Sequence, residues 1–285
     1  MDMSSGNPDL ETVVEHAREH SDRFQRAVDE TSPDRYMMWY SELFLFASLC
    51  ELTDCDQVIE SGRARGVSTL VLSKYFEGSD TNIISIDNRP HSEDAEYAEE
   101  RLADADNVTL QYGDSREIVP GNAGPKTGVL IDGPKGNAAL RLGLDLLGDE
   151  VPFVAVHDLH RDTFYRDLSE LLFEHRLYTD DETIVDEFGR YDEPYFEWYN
   201  SAPETEVEAG PYLKGGERSN SYGPTLGAFF NGIAPYDDRV RRNFEAYIRD
   251  QRGPLSDFGD RLRARRASGG PVARRVADFV LSLWE

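Results

Sequence analysis

From residue 57 onward, short runs of β-branched and apolar residues alternate with stretches whose apolar positions recur at helical spacing. The runs predict strands over 57–61, 82–87, 108–112, 128–132 and 153–157. Between them the spacing predicts helices over 67–76, 92–103 and 137–147, with a short turn at 115–119. A further helix over 163–175 precedes two more strand-like runs, 183–188 and 225–231. Strands alternating with helices call for parallel pairing through right-handed crossovers. The predicted fold class is therefore α/β, a doubly wound, mostly parallel seven-stranded sheet with helices on both faces.

The flanks read differently. Residues 9–30 are polar with thin helical spacing (Leu10, Val13, Val14, Phe24, Val28) and predict a surface helix. Residues 33–52 carry Met37, Trp39, Tyr40, Leu43, Phe44, Phe46, Ala47 and Leu49, nearly two apolar faces, so this helix packs on the sheet or on a second subunit. A homo-oligomer is compatible with that pattern. The stretch 189–223 is polar, holds Gly and Pro, and contains Tyr191, Tyr195, Phe196, Trp198, Tyr199, Tyr212 and Tyr222; so long a connection reads as a lid or an oligomer contact. Helices over 237–251, 256–267 and 271–284 end the chain, with Arg252, Arg261, Arg263, Arg265, Arg266, Arg274 and Arg275 making the tail locally basic. The expected organisation is an N-terminal helical extension (1–55), a ligand-binding α/β domain (56–235) with a lid insertion near 189–223, and a C-terminal helical extension (236–285).

Charge narrows the classes. The 285 residues include 30 basic and 55 acidic ones, a formal net charge of -25. The lysines are Lys74, Lys126, Lys135 and Lys214, so arginine carries most of the positive charge. Excess carboxylate with arginine over lysine suggests a halophilic, acidic protein of a high-salt cytoplasm, where self-repulsion is screened. A protein that binds cationic partners is the rival reading. Either way the balance argues against broad nucleic-acid binding. Cys50 and Cys55 form neither a disulfide framework nor a zinc pattern and read as buried thiols. With no signal-peptide pattern at Met1–Gly6 and no long apolar run, a soluble cytoplasmic protein without a membrane partner is expected.

Candidate chemistry sits at the strand ends. In an open parallel sheet, ligands bind beyond the carboxyl ends of the strands near the switch in strand order. Glu60, Asp87, Asp132 and Asp158 end or follow four strands there, and Asp114 follows a fifth. The turn Gly62-Arg63-Ala64-Arg65-Gly66 could belong to a dinucleotide site, but Ala64 stands at the middle glycine of the GxGxxG arrangement. Glu60 before it would repel a pyrophosphate. A ligand with a cationic centre, an adenosine and no phosphate suits this rim better. Asp87 is placed for ribose hydroxyls, and Asp114 with Ser115 for an adenine edge.

The ordered series Val58-Ile59-Glu60-Ser61-Gly62 with Gly66-Val67-Ser68-Thr69, Ile84-Ser85-Ile86-Asp87, Gly113-Asp114-Ser115, Leu130-Ile131-Asp132-Gly133-Pro134-Lys135-Gly136 and Val156-His157-Asp158 resembles the class I S-adenosylmethionine-dependent methyltransferases. Within them it looks closest to the small-molecule O-methyltransferase branch that includes cephalosporin hydroxylase-like and sugar O-methyltransferase proteins. The resemblance spans residues 57–158, with 225–231 as a closing antiparallel strand. It implies that Glu60, Gly62, Arg63 and Gly66 form the methionine-side turn with Ser68 near the carboxylate, that Asp87 holds the ribose, that Asp114 and Ser115 hold the adenine, and that Asp132 borders the same site. It also implies a divalent cation, Mg²⁺, at Asp132 and Asp158, although Leu159 stands where metal-dependent members carry a further ligand and Gly133-Pro134 replaces a more polar segment. Lys135, His157 and Asp158 are the catalytic candidates, Lys135 or His157 as base, with His160 a third. A lysine base needs a lowered pKa. Residues 191–199 would be the acceptor-side lid. The implied function is O-methylation of a small polar acceptor such as a sugar or secondary metabolite. The alternatives are an NAD-dependent Rossmann-type enzyme and a non-catalytic interaction protein of the same fold.

Overall fold

The structure, a computed structural model, describes residues 7–34, 37–148, 151–161, 163–201 and 226–230. In chain order the elements are α1 (Leu10–Glu19), α2 (Ser21–Asp29), α3 (Tyr40–Leu52), β1 (Gln57–Ser61), α4 (Val67–Tyr75), β2 (Asn82–Asp87), α5 (Glu93–Arg101), β3 (Val108–Tyr112), α6 (Ser115–Asn122), β4 (Thr127–Ile131), α7 (Asn137–Gly148), β5 (Phe153–Val156), α8 (Phe164–Leu172), β6 (Arg176–Tyr178), α9 (Glu182–Phe188), a 3₁₀ turn (Gly189–Asp192), α10 (Glu193–Ser201) and β7 (Gly227–Phe230). Among the described residues the seven strands form one sheet in the order β3-β2-β1-β4-β5-β7-β6. The first five are parallel; β7 runs antiparallel to both β5 and β6.

Alternation along the strands divides the interior. Val58, Ile83, Leu130, Phe153, Ala155, Ala228 and Phe230 join one apolar core with α1 to α4 and α9, whereas Ile59, Ile86, Val129, Ile131, Val154, Val156 and Phe229 join the other with α7 and α8. Such residues contribute roughly 1.5–3 kcal/mol each when fully buried. The doubly wound expectation is met. Every residue of α3 from Tyr40 to Cys50 is buried, as a helix apolar all round must be. It packs within the core, its Phe44 stacked on Phe24 at 4.2 Å between ring centroids.

Three expectations need correction. Residues 183–188 are helical, not a strand: Asp181 caps α9 by accepting from the Thr183 backbone at 2.9 Å, and Ile184 and Phe188 are buried one helical turn apart. The missing strand is β6, three residues too short to show a period. The helix expected over 9–30 is two helices broken at His20, and its Val13, Ala17 and Phe24 are buried. The helix expected from residue 33 starts at Tyr40, where Glu42 reaches back to accept from the Trp39 backbone at 3.2 Å. The C-terminal helices, the basic tail and residues 202–223 of the expected lid lie outside the described residues. Among the described residues no helix is long and apolar enough to cross a membrane.

Candidate functional site

Strand order reverses beside β1, since β2 and β3 lie on one side of it and β4 and β5 on the other. The turns after β1 and β4 therefore meet at the switch point. Gly62 has φ +96°, and a Cβ there would sit 2.6 Å from Gly133 N and 2.8 Å from the Asp132 carbonyl carbon, so only glycine fits. Asp132 N and Gly133 N both donate to Ser61 O at 2.7 Å, and Ser61 Oγ donates to Gly133 O. Gly66, left-handed at φ +76°, starts α4, and Ala64 between them is left-handed too.

Under this turn the side chains are occupied. Glu60 is fully buried and accepts from Ser68 Oγ, Thr69 Oγ1 and, at 2.8 Å, Ser85 Oγ. Burial raises its pKa against those three hydrogen bonds. Arg63 is buried as well, donating to Ser85 O at 2.6 Å with its guanidinium 4.7 Å from the centre of the Tyr112 ring. The Glu60, Arg63 and Ser68 side chains thus build the turn from below, and of the five carboxylates expected on the rim Glu60 lies beneath it. Asp87 does reach it. Its Oδ2 accepts from Ala64 N at 3.1 Å and its Oδ1 from Arg89 N at 2.9 Å. Asp114 caps α6 and pairs with Arg116, which holds its pKa down at about 2, and Ser115 follows in the first turn.

Beyond β4 and β5 the charges pair with one another. Lys135 Nζ donates to Asp132 Oδ1 and, at 2.6 Å, to Asp158 Oδ2. His157 Nδ1 lies 2.6 Å from Asp132 Oδ1 and 3.3 Å from Asp158 Oδ1, close enough for ion pairing but off the line of a hydrogen bond. On its other side His157 Nε2 is 3.1 Å from Glu42 Oε2. His160 Nε2 stands further off, 3.8 Å from Asp158 Oδ1. Asp158 is left-handed at φ +65°, a conformation that an Asp adopts more readily than most side chains. Burial opposes charge on His157, but Asp132 and Glu42 outweigh it and hold its pKa well above the usual histidine value. Burial likewise opposes charge on Lys135, and its two carboxylates overcome that and raise its pKa. Desolvation works against both aspartates too, yet the cations hold Asp132 and Asp158 below the usual range.

Sequence reasoning missed Glu42 and Asp192. Glu42, fully buried, is the lone charged residue between Tyr40 and Cys50, and that isolation was the signal available. Asp192 accepts from Ser41 N at 2.9 Å, and burial pushes its pKa up to about 8. The acceptor-side lid expected over 191–199 is corrected in part: Tyr191 packs edge-on to Phe24 and Phe44, and Tyr195 to Trp39, all in the core.

The Asp132, His157 and Asp158 donor atoms lie within 4.8 Å of one another, close enough for a divalent ion. The donor chemistry does not fit Mg²⁺, which takes oxygen ligands, whereas here one of three donors is nitrogen. An ammonium already bridges the two carboxylates, and a dication would face it at contact distance. At the turn, by contrast, the glycines let the β1 and β4 loops pack backbone to backbone, and Asp87, whose oxygens keep unused lone pairs, is an acidic hydrogen-bond acceptor beside them.

No family model and no curated protein matches the chain. Among solved structures it is similar to the O-methyltransferase TomG of Streptomyces achromogenes in complex with SAM, at 18% identity and a TM-score of 0.41 over 79% of this chain and 91% of that one. It is also similar to an O-methyltransferase of Bacillus cereus in complex with SAH, at 16% identity and a TM-score of 0.40 over 78% and 92%. Likenesses this distant carry no activity over to the chain.

Proposed function

We propose that this protein is an S-adenosylmethionine-dependent methyltransferase that methylates an oxygen of a small polar acceptor, such as a sugar or secondary metabolite. The observation that carries this reading is the contact of Gly62 with Gly133. It sets the turn after β1, which this reading assigns to the adenosine, edge to edge with a charged cluster able to take up a proton.

Bound S-adenosylmethionine supplies an electrophilic methyl group on a cationic sulfur. The chain provides the rest. Asp87 accepts hydrogen bonds from the ribose hydroxyls, and Asp114 and Ser115 meet the adenine edge. Lys135 and His157, both with raised pKa, are charged at neutral pH and unsuited to act as base. The proton passes to Asp158, whose side chain is 42% exposed against 18% for Asp132. A hydroxyl whose oxygen is being alkylated becomes strongly acidic, so a carboxylate suffices. Holding acceptor and methyl donor in line provides much of the acceleration.

Titration calorimetry tests the reading. Micromolar binding of S-adenosylmethionine or its demethylated product, lost in Asp87→Ala, supports it. Binding of NAD with neither of those ligands would overturn it.

A further inference from the structure

We infer that Lys135 is the resident cation of the acceptor site, its ammonium standing where a divalent ion would bridge Asp132 and Asp158, so that acceptor chemistry here runs without a metal. Three observations converge. The donor atoms of Asp132, His157 and Asp158 cluster within 4.8 Å, two carboxylates that a bridging cation stabilises. Lys135 Nζ reaches both carboxylates, at 2.6 Å for Asp158 and closer for Asp132. Lys135 itself is rooted next to the Gly62–Gly133 contact, three residues beyond Asp132, so backbone packing at the switch point aims it into the cluster.

The bridge leaves chemistry to spare. An ammonium has three N–H donors, and two are spent on Asp132 and Asp158. The third can donate to a single acceptor oxygen and hold it in place as its proton leaves for Asp158. A bound metal would chelate two neighbouring oxygens; one N–H engages one. The acceptor class is then an isolated hydroxyl rather than a vicinal diol held through both oxygens. This acceptor assignment rests on the methyltransferase reading; the position of the cation does not.

Mn²⁺ electron paramagnetic resonance on the full chain tests it. The wild type should hold no Mn²⁺ that Asp132→Asn removes, any background on so acidic a surface being the same in both. Lys135→Ala should gain one Mn²⁺ per chain, bound at least tenfold tighter than that background and lost in Lys135→Ala/Asp132→Asn. Lys135→Arg, which keeps the charge, should gain none. A wild-type Mn²⁺ site abolished by Asp132→Asn would overturn the inference, as would a folded Lys135→Ala that gains no site. The wild-type comparison decides even if Lys135→Ala fails to fold. Calorimetry with S-adenosylmethionine is read separately: its failure would sink the methyltransferase reading and leave the Mn²⁺ result standing.

Discussion

The two halves of the rim hold their charges in different ways. On the β1–β3 side the carboxylates are tied first to backbone, with a neighbouring arginine of the same turn added: Asp87 to Ala64 N and Arg89 N with the Arg89 guanidinium 3.6 Å away, Asp114 to Arg116 N and to the Arg116 guanidinium. On the β4–β5 side they are tied to side chains: Asp132 and Asp158 to Lys135 and His157, and His157 to Glu42, 115 residues earlier in the chain. A backbone-anchored half is set by local turns and presents one fixed shape, as a cofactor shared by many reactions requires. A side-chain-anchored half can change its chemistry by single substitutions while the sheet stays the same.

Gly62→Ala strikes the seam between the halves and should have the largest effect. Its Cβ would meet backbone atoms at 2.6 and 2.8 Å, which cannot swing aside as a side chain can. Strain at a left-handed position with a backbone clash costs roughly 2–4 kcal/mol. Affinity for S-adenosylmethionine should fall at least 100-fold by calorimetry. A variant that binds normally would show that the halves are not coupled through this contact.

Asp87→Asn tests the backbone-anchored half alone. The amide oxygen can keep one of the two backbone N–H groups, but the charge is lost and the amide's own donors face N–H groups. Losing one charge-assisted hydrogen bond weakens binding by about 1.5–3 kcal/mol, or roughly 10- to 100-fold. The turnover number at saturating cofactor should stay within about twofold. A collapse in turnover at saturation would mean that Asp87 also serves the acceptor half.

The same division explains what could be read in advance. β1, β2, β4 and β5 and the carboxylates at their ends were legible because parallel strands buried on both faces are largely apolar runs that stop where the chain turns into the rim, while β3, at the sheet edge, showed as a β-prone run with no buried residue. Register then did the rest, pairing Ser61 with Ile86 and with Ile131 and so aligning the strand ends. β6 was not legible, since its three residues take their order from pairing with β7 rather than from any pattern of their own. Glu60 was placed in the right strand but on the wrong side of the turn, because a sequence does not show that Ser68, Thr69 and Ser85 will converge on it. Glu42 stood out as a lone charge in an apolar helix, but its partner His157 follows only from the packing of α3 under the β5 end.

Glu42→Gln probes the side-chain-anchored half. The amide retains the volume and one contact to His157 Nε2 but removes the charge that helps keep the imidazole protonated. His157 should lose its fixed place beside Asp132. Turnover should fall about tenfold, the scale of one interaction of about 1.4 kcal/mol in the transition state, with cofactor affinity unchanged. Steady-state kinetics beside calorimetry separates the two. A matching loss of cofactor affinity would erase the distinction between the halves.

Asp192→Asn should leave turnover within about twofold and show only in stability, which marks where the charged network ends. Burial raises the Asp192 pKa from 3.8 to about 8, so at neutral pH it stands protonated beside Ser41, where an Asn side chain can accept the same backbone hydrogen bond. For an acid whose folded pKa is raised, the unfolded chain loses its proton first. Between pH 4 and 8 the folded protein therefore binds more protons than the unfolded one, and stability falls as pH rises, by up to about 1.4 kcal/mol per unit for this group. Below pH 4 both states are protonated and the effect vanishes. Chemical denaturation across pH 4 to 8 should show a shallower decline in Asp192→Asn than in the wild type, the two curves meeting at the acid end. Parallel curves would mean that Asp192 is ionised in the folded protein, and the network of buried charge would then extend from His157 through Glu42 to the start of α3.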